Sequence, residues 1–317
     1  MNKLAEASQI AHHLLDNIKK VIVGKERVIE LSLVAMIAEG HLLIEDVPGL
    51  GKTTLAKAIA LSSGCSFKRI QFVPDLLPSD ITGVNIYNQK TGEFEFRPGP
   101  IMAEVVLADE INRAPSKTQA ALLESMEEHQ TTVDGITYEL SRPFFIVATL
   151  NPVEYHGIFP LPEAQLDRFT IRVTLGYASF EQELAIIERQ ENENPIADVR
   201  AVTTPEEVIF LQKETKGIYV DPLVRQYIVH LTQATRQHQD VLLGASHRGS
   251  LALFRTAQAL ALIQGREFVV PDDVKVLSGG VLAHRLILTP EARARGLDGQ
   301  KVITAIVDNL SVPGAHG

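Results

Sequence analysis

The chain has 317 residues, 45% of them hydrophobic, and a formal net charge of −9 at pH 7. This length and composition predict a globular protein with room for two domains, and the acidic balance disfavours nucleic-acid binding through bulk charge. No apolar run approaches the roughly 20 residues that span a bilayer. The single cysteine, Cys65, has no partner for an internal disulfide. We therefore expect a cytoplasmic protein without membrane insertion.

The first predicted elements are two helices. Apolar residues recur at helical spacing between Met1 and Lys20, and a second helix covers positions 26–39 and ends at Gly40. Between the helices a short apolar segment meets a glycine at Val23 and Gly24. Its place shortly before the loop described next would let this segment close over a base.

A strand, a glycine-containing loop and a helix follow between positions 41 and 60. The loop residues are Pro48, Gly49, Leu50, Gly51, Lys52, Thr53 and Thr54. Backbone N–H groups at a helix N-terminus can wrap a triphosphate, while Lys52 reaches its β- and γ-phosphates and Thr53 binds Mg²⁺. Asp46 stands at the first glycine of the usual pattern, but aspartate tolerates left-handed geometry. The alternative is an ordinary strand, turn and helix.

After a predicted strand at positions 67–72, a further strand over positions 103–108 ends in the adjacent carboxylates Asp109 and Glu110. Two acids at the end of a buried strand need a reason, because burying charge is costly. Beside a phosphate loop, Asp109 can hold hydrated Mg²⁺ and Glu110 can orient and deprotonate the attacking water. Arg113 follows closely, and it either pairs with these acids or faces a nucleotide held by a neighbouring subunit.

Two further candidates follow along the chain. Asn151 ends the strand at 143–149, where its amide can hydrogen-bond both the γ-phosphate and the water. Arg168 follows a short helix at positions 161–167 and precedes the last strand at 170–175. It can supply positive charge to the phosphoryl group in the next subunit, or it pairs with Asp167 or Glu163.

Two β-hairpins are predicted outside the sheet strands. Alternating residues flank a turn between positions 84 and 96, and an Asp-Gly turn lies between β-branched residues at 131–138. The first hairpin can project and engage a partner, or it can pack only on its own domain.

The alternation of strands and helices stops near Gly176, and the remainder is predicted to be helical. Predicted helices cover 180–189, 205–213, 222–236, 248–264 and 271–284. Arg248 lies at the start of one of them, where it could fold over a nucleotide bound in the first domain. We expect an α/β domain over residues 1–176 and a helical domain over 177–317.

In this order the motifs resemble those of the AAA+ ATPases, and within them the MoxR family. The segments most similar to MoxR proteins lie at positions 71–80, 109–114 and 163–169. The resemblance implies a three-layer α/β/α domain with a parallel sheet and a small all-helical lid. It implies that residues 49–54 form Walker A, that Asp109 and Glu110 form Walker B, and that Val23 and Gly24 form the adenine-side box.

The same resemblance makes Asn151 sensor 1, Arg168 the arginine finger and Arg248 sensor 2, and it makes the hairpins the helix-2 and pre-sensor-1 inserts. His247 stands at the expected start of the sensor 2 helix, where MoxR proteins commonly have proline.

Hexameric rings that hydrolyse ATP with Mg²⁺ to mature other complexes are expected from the family, with partners that carry a von Willebrand factor A domain. Alternative functions are a DNA-associated AAA+ motor, a magnesium-chelatase-like subunit and a nucleotide-gated scaffold that does not hydrolyse ATP.

Overall fold

The computed structural model of the chain describes residues 3–152, 159–192 and 195–312, so the first two positions of the first predicted helix lie outside it. The α-helices are α1 Lys3–Lys19, α2 Glu26–Ile37, α3 Lys52–Ser62, α4 Pro78–Thr82, α5 Ser116–Glu128, α6 Glu163–Leu166, α7 Phe180–Asn192, α8 Pro205–Thr215, α9 Pro222–Gln237, α10 His247–Ile263, α11 Pro271–Leu282, α12 Pro290–Ala294 and α13 Gly299–Asn309. The strands are β1 Leu42–Glu45, β2 Phe67–Gln71, β3 Gly83–Asn88, β4 Glu93–Pro98, β5 Val105–Asp109, β6 Gln130–Val133, β7 Ile136–Glu139, β8 Phe145–Leu150, β9 Ile171–Val173, β10 Val241–Leu243 and β11 Ile287–Leu288.

Five strands form one parallel sheet in the order β2, β5, β8, β1, β9. Every residue of β5 is buried, as expected for a strand that is covered on both faces. The loop after β1 and the acids at the end of β5 flank the end of β8. Because parallel strands share one carboxyl edge, the segments predicted to bind nucleotide meet there.

Helices cover both faces of this sheet. Leu43, Val106 and Ile146 point to one face, against Leu122 and Met126 of α5. The alternate residues of the same strands belong to a second apolar cluster, which includes residues of α1 to α3 and of α8 to α13. The predicted three-layer α/β/α architecture with a parallel sheet is therefore confirmed.

The region after β9 is mainly helical, as predicted, but it is not entirely so. β10 and β11 pair as a short antiparallel ribbon, with Val241 opposite Leu288. Sequence periodicity missed it because strands of two or three residues carry too few side chains to show alternation. The same apolar cluster joins Ile18 of α1 to Leu260 of α10, so this region packs directly on the first helices. The boundary at residue 176 stays a prediction.

The two predicted hairpins are confirmed as β3 with β4 and β6 with β7. They contact one another: the rings of Phe96 and Tyr138 stack with centroids 3.9 Å apart, and the Asn85 amide donates to Asp134 across 2.8 Å. No helix among the described residues is long and apolar enough to cross a membrane.

Candidate functional site

The phosphate loop is open and preshaped. Gly49 and Gly51 both have φ of +88°, and a Cβ placed on either residue would meet no atom within 4 Å. Gly51 caps α3, so the first N–H groups of that 11-residue helix face the loop. Glycine permits this left-handed backbone without steric cost. The loop can therefore receive phosphate oxygens, while Leu50 packs at the edge of the core.

Asp46 plays a different part from the one expected. It is not among the described non-glycine residues with positive φ, so its tolerance of left-handed geometry is not what makes the loop possible. Its carboxylate instead accepts from Val47 N at 2.9 Å and Gly176 N at 2.7 Å. Lys52 Nζ donates to the Asp46 carbonyl at 2.6 Å. Asp46 thus ties the start of the loop to the segment that follows β9.

The carboxylate of Asp109 is held on both oxygens. Thr149 Oγ1 donates to Oδ1 at 2.7 Å. Arg69 donates to Oδ2 from Nε at 3.1 Å and from Nη2 at 2.6 Å. Asp109 is buried at the end of β5, and these charge-assisted bonds compensate for burying it.

Glu110 has a left-handed backbone, with φ of 57° and ψ of 51°. This conformation is unfavourable for glutamate by the order of 1–3 kcal/mol, a kind of strain that concentrates at functional sites. Thr149 Oγ1 accepts from its N–H at 2.8 Å. Gln71 donates to its Oε2 at 3.0 Å, and Arg113 Nε lies 3.2 Å from the same oxygen. Within the chain Arg113 therefore pairs with the acid, and its contact with a neighbouring subunit's nucleotide stays a prediction.

One pocket brings together the loop and the acids. Its lining residues are Pro48, Gly49, Gly51, Lys52, Thr53, Thr54, Arg69, Asp109 and Glu110. Asn151 follows Leu150, whose carbonyl accepts from Asp46 N at 3.1 Å. It is buried at the end of β8, between the strands that carry the loop and the acids.

These residues fit a magnesium nucleotide. Thr53 and Asp109 offer the oxygen ligands that Mg²⁺ prefers, and Mg²⁺ usually takes only one or two protein ligands beside phosphates and water. Accordingly, no group of three or more His, Cys, Asp or Glu residues in the described ranges is arranged to hold a metal by itself.

Arg168 and Arg248 lie elsewhere, in a second pocket. Arg168 Nη2 is 3.2 Å from Glu127 Oε2, and Arg248 pairs with the other oxygen of the same carboxylate. This pocket shares no lining residue with the phosphate-loop pocket. In this structure Arg248 therefore does not line the phosphate-loop pocket of its own chain, and its contact with a nucleotide stays a prediction. Nor does Arg168 pair with Asp167 or Glu163.

A buried network fixes the positions of both arginines. Arg285 Nε donates to Asp167 Oδ1 at 2.7 Å, and its Nη2 donates to the carbonyls of Asp167 and Phe169. Asp167 Oδ2 accepts from Ser246 Oγ at 2.9 Å, and the same hydroxyl caps α10 by accepting from Arg248 N at 3.1 Å. The helix begins normally at His247 despite the absence of proline.

Val23 and Gly24 lie in the turn between α1 and α2, beside α7. Gln182 Nε2 donates to the Gly24 carbonyl at 3.2 Å, and Gly24 has φ of +67°. A Cβ at Gly24 would lie 2.1 Å from that amide, so the Gln182 side chain would have to move, and the positive φ itself favours glycine. Neither residue lines the phosphate-loop pocket, and their contact with a base stays a prediction.

Several polar residues in or beside the two pockets were not predicted from the sequence. Arg69 and Gln71 alternate along β2 and therefore share the face that reaches Asp109 and Glu110. That alternation was a usable signal once β2 was known to adjoin β5. No comparable signal marks Glu127 and Arg285, because their partners are distant in sequence.

Comparisons with known proteins agree with this geometry. A family model described as "ATPase family associated with various cellular activities (AAA)" matches residues 41–171, and an AAA lid domain model matches 233–306. The protein YeaC of Bacillus subtilis, uncharacterised, is 52% identical over 94% of this chain and 93% of its own length. Chaperone MoxR1 of Mycobacterium tuberculosis is 40% identical over 93% of this chain and 80% of its own.

A solved structure gives the same result for the whole fold. The crystal structure of a Cytophaga hutchinsonii protein, 38% identical, superposes with a TM-score of 0.92 and covers 98% of this chain and 97% of that one.

Proposed function

The chain belongs to the MoxR family of AAA+ ATPases, and from this premise we propose that it hydrolyses ATP in the phosphate-loop pocket and uses the energy to remodel or mature partner protein complexes. The observation that carries the proposal is the meeting of Lys52, Thr53, Asp109 and Glu110 in one pocket at the carboxyl edge of the sheet. Each of these side chains matches one requirement of phosphoryl transfer to water.

The roles follow from position. Lys52 and the N–H groups around Gly49 and Gly51 bind the phosphates, and Thr53 with Asp109 would hold Mg²⁺, which neutralises charge on the β- and γ-phosphates. Glu110 orients the attacking water and accepts its proton. Asn151, buried at the neighbouring strand end, would contact the γ-phosphate through its amide.

Arg168 and Arg248 would complete the site of a neighbouring subunit. Arg168 lies three positions before Ile171, at the amino end of β9, whereas the phosphate loop follows the carboxyl end of the parallel strand β1. Since β1 has four residues, its two ends lie roughly 13 Å apart. Neither arginine lines the pocket of its own loop. This separation supports a ring, which we propose to be a hexamer in which each subunit completes the next site.

For the partner, the family suggests a protein with a von Willebrand factor A domain. The hairpin β3–β4 offers a surface for contact, since Tyr87 and Phe94 are 53% and 73% exposed and their rings pack edge to face. Such aromatic side chains are favoured in protein interfaces. We place this activity in the cytoplasm.

Hydrolysis is tested by the variant Glu110→Gln. The amide keeps the size of the side chain but cannot take the proton of water, so we expect ATP binding close to wild type and phosphate release reduced by at least 10²-fold. Lys52→Ala is the comparison variant, in which binding itself should weaken. Wild-type phosphate release from purified Glu110→Gln would refute the assignment.

Completion in trans is tested by mixing two inactive variants, Arg168→Ala and Glu110→Gln. In mixed rings, some sites combine an intact Glu110 with a neighbour's intact Arg168, so phosphate release should recover in part. Mixing Glu110→Gln with Lys52→Ala is the informative comparison. Both changes lie in the same pocket, so every pocket of such a ring carries one defect and phosphate release should not recover. No recovery in rings shown by native mass spectrometry to be mixed would contradict the proposal.

A further inference from the structure

Asp109, the carboxylate proposed to hold Mg²⁺, already carries a cation in this structure. Arg69 donates two hydrogen bonds to Oδ2, from Nε at 3.1 Å and from Nη2 at 2.6 Å. Oδ1 is occupied differently, by the neutral hydroxyl of Thr149 at 2.7 Å. The hydroxyl only orients the carboxylate, but the guanidinium neutralises it.

The guanidinium lies on the side of the carboxylate that faces the pocket. Arg69 lines the phosphate-loop pocket together with Lys52 and Thr53. Its side chain is 47% exposed, against 10% for that of Asp109, so Arg69 can swing into solvent while Asp109 stays in place. An arginine and a metal ion that require the same carboxylate oxygen exclude each other by charge as well as by space.

We propose that Arg69 is a built-in counter-cation of the metal site, which leaves Asp109 Oδ2 when Mg²⁺ enters with the nucleotide and thereby sets the Mg²⁺ concentration that nucleotide binding requires. The inference rests on the proposed nucleotide site. It goes beyond it by assigning a role to a residue that is neither in the phosphate loop nor among the acids.

The departure of Arg69 has a second consequence. Arg69 Nη2 also donates to Gln71 Oε1 at 2.5 Å, and Gln71 Nε2 donates to Glu110 Oε2 at 3.0 Å. Arg69 therefore fixes the amide that holds Glu110. When the guanidinium leaves, Gln71 loses one of its two contacts in this network, so occupation of the metal site is communicated to the residue that orients water.

The experiment is an Mg²⁺ titration at a fixed concentration of a fluorescent, non-hydrolysable ATP analogue. Arg69→Gln removes the competing cation, so the Mg²⁺ concentration at half-saturation should fall about fivefold, the order expected for losing one partly exposed ion pair. Lys68→Gln is the matched control. Lys68 is an exposed cation on the same strand that does not line the pocket, and its removal should change the midpoint less than twofold.

An unchanged or higher midpoint in Arg69→Gln would overturn the role of Arg69 while leaving nucleotide binding intact. Failure of the wild-type protein to bind the analogue at any Mg²⁺ concentration would instead overturn the proposed site, and this inference with it. A second measurement, by NMR, is made on the wild-type chain and so does not depend on the folding of Arg69→Gln. The Nε–H resonance of Arg69, assigned with Arg69→Lys, should shift when Mg²⁺ is added to the nucleotide-bound protein, and a resonance that stays in place would refute the displacement.

Discussion

The strongest test of how the two arginines are held is the removal of Arg285. Its side chain is 3% exposed and that of its partner Asp167 is 17% exposed. Burial lowers the pKa of the Arg285 guanidinium, and the charge of Asp167 opposes that shift. In Arg285→Met an apolar chain of similar length replaces the guanidinium, so Asp167 becomes a mostly buried carboxylate without its cation.

Removing one partner of a buried pair costs about 3–5 kcal/mol, whereas an exposed pair is worth about 1 kcal/mol or less. Arg295→Met provides the matched control, because Arg295 also pairs with an aspartate, Asp240, but is 58% exposed. Urea unfolding followed by circular dichroism should therefore separate the two variants by at least about 2 kcal/mol.

A second substitution distinguishes charge from packing. Asp167→Asn in the Arg285→Met background should recover part of the loss, since an unpaired amide costs less to bury than an unpaired carboxylate. The reasoning is refuted if Arg285→Met loses no more stability than Arg295→Met, or if Asp167→Asn deepens the loss.

Three further predictions follow from single contacts. Burial lowers the pKa of His41 from 6.5 to about 4, so protonation favours the unfolded chain. The free energy of unfolding should therefore fall by up to about 3 kcal/mol as the pH falls from 6.5 to 4. In His41→Gln, urea unfolding at several pH values should show a flatter profile over this range. Asp46→Gly restores the usual loop pattern but removes the bond to Gly176 N, so nucleotide affinity measured by fluorescence should fall rather than rise. Phe96→Ala and Tyr138→Ala should show a coupling of about 1 kcal/mol in a double-mutant cycle of unfolding, and additive losses would mean that the stacked hairpins do not stabilise each other.

The parts of the site that sequence could predict are those in which chemistry is local. The phosphate loop, Asp109 with Glu110, and Asn151 each end a strand, and the shared carboxyl edge of a parallel sheet then brings them together. Each prediction needed only a strand, its end and a polar residue there.

The parts that sequence could not predict depend on pairings between distant segments. Nothing near Arg248 indicates that Glu127, 121 positions away, will bind it. The role of Asp46 was wrongly attributed to backbone conformation because its real partner, Gly176 N, lies 130 positions further on. In both cases the sequence shows the polar residue but not its partner, which only the three-dimensional fold supplies.

The short strand β9 connects the two pockets of one subunit. Just beyond its carboxyl end, Gly176 N is held by Asp46, the residue that begins the phosphate loop. Just before its amino end, Arg285 holds the carbonyl of Phe169, next to Arg168. Its three residues span about 10 Å and pair with β1 along their whole length. One strand therefore holds the start of the phosphate loop near its carboxyl end and the segment of Arg168 near its amino end, so the sheet sets the distance between the two pockets of a subunit.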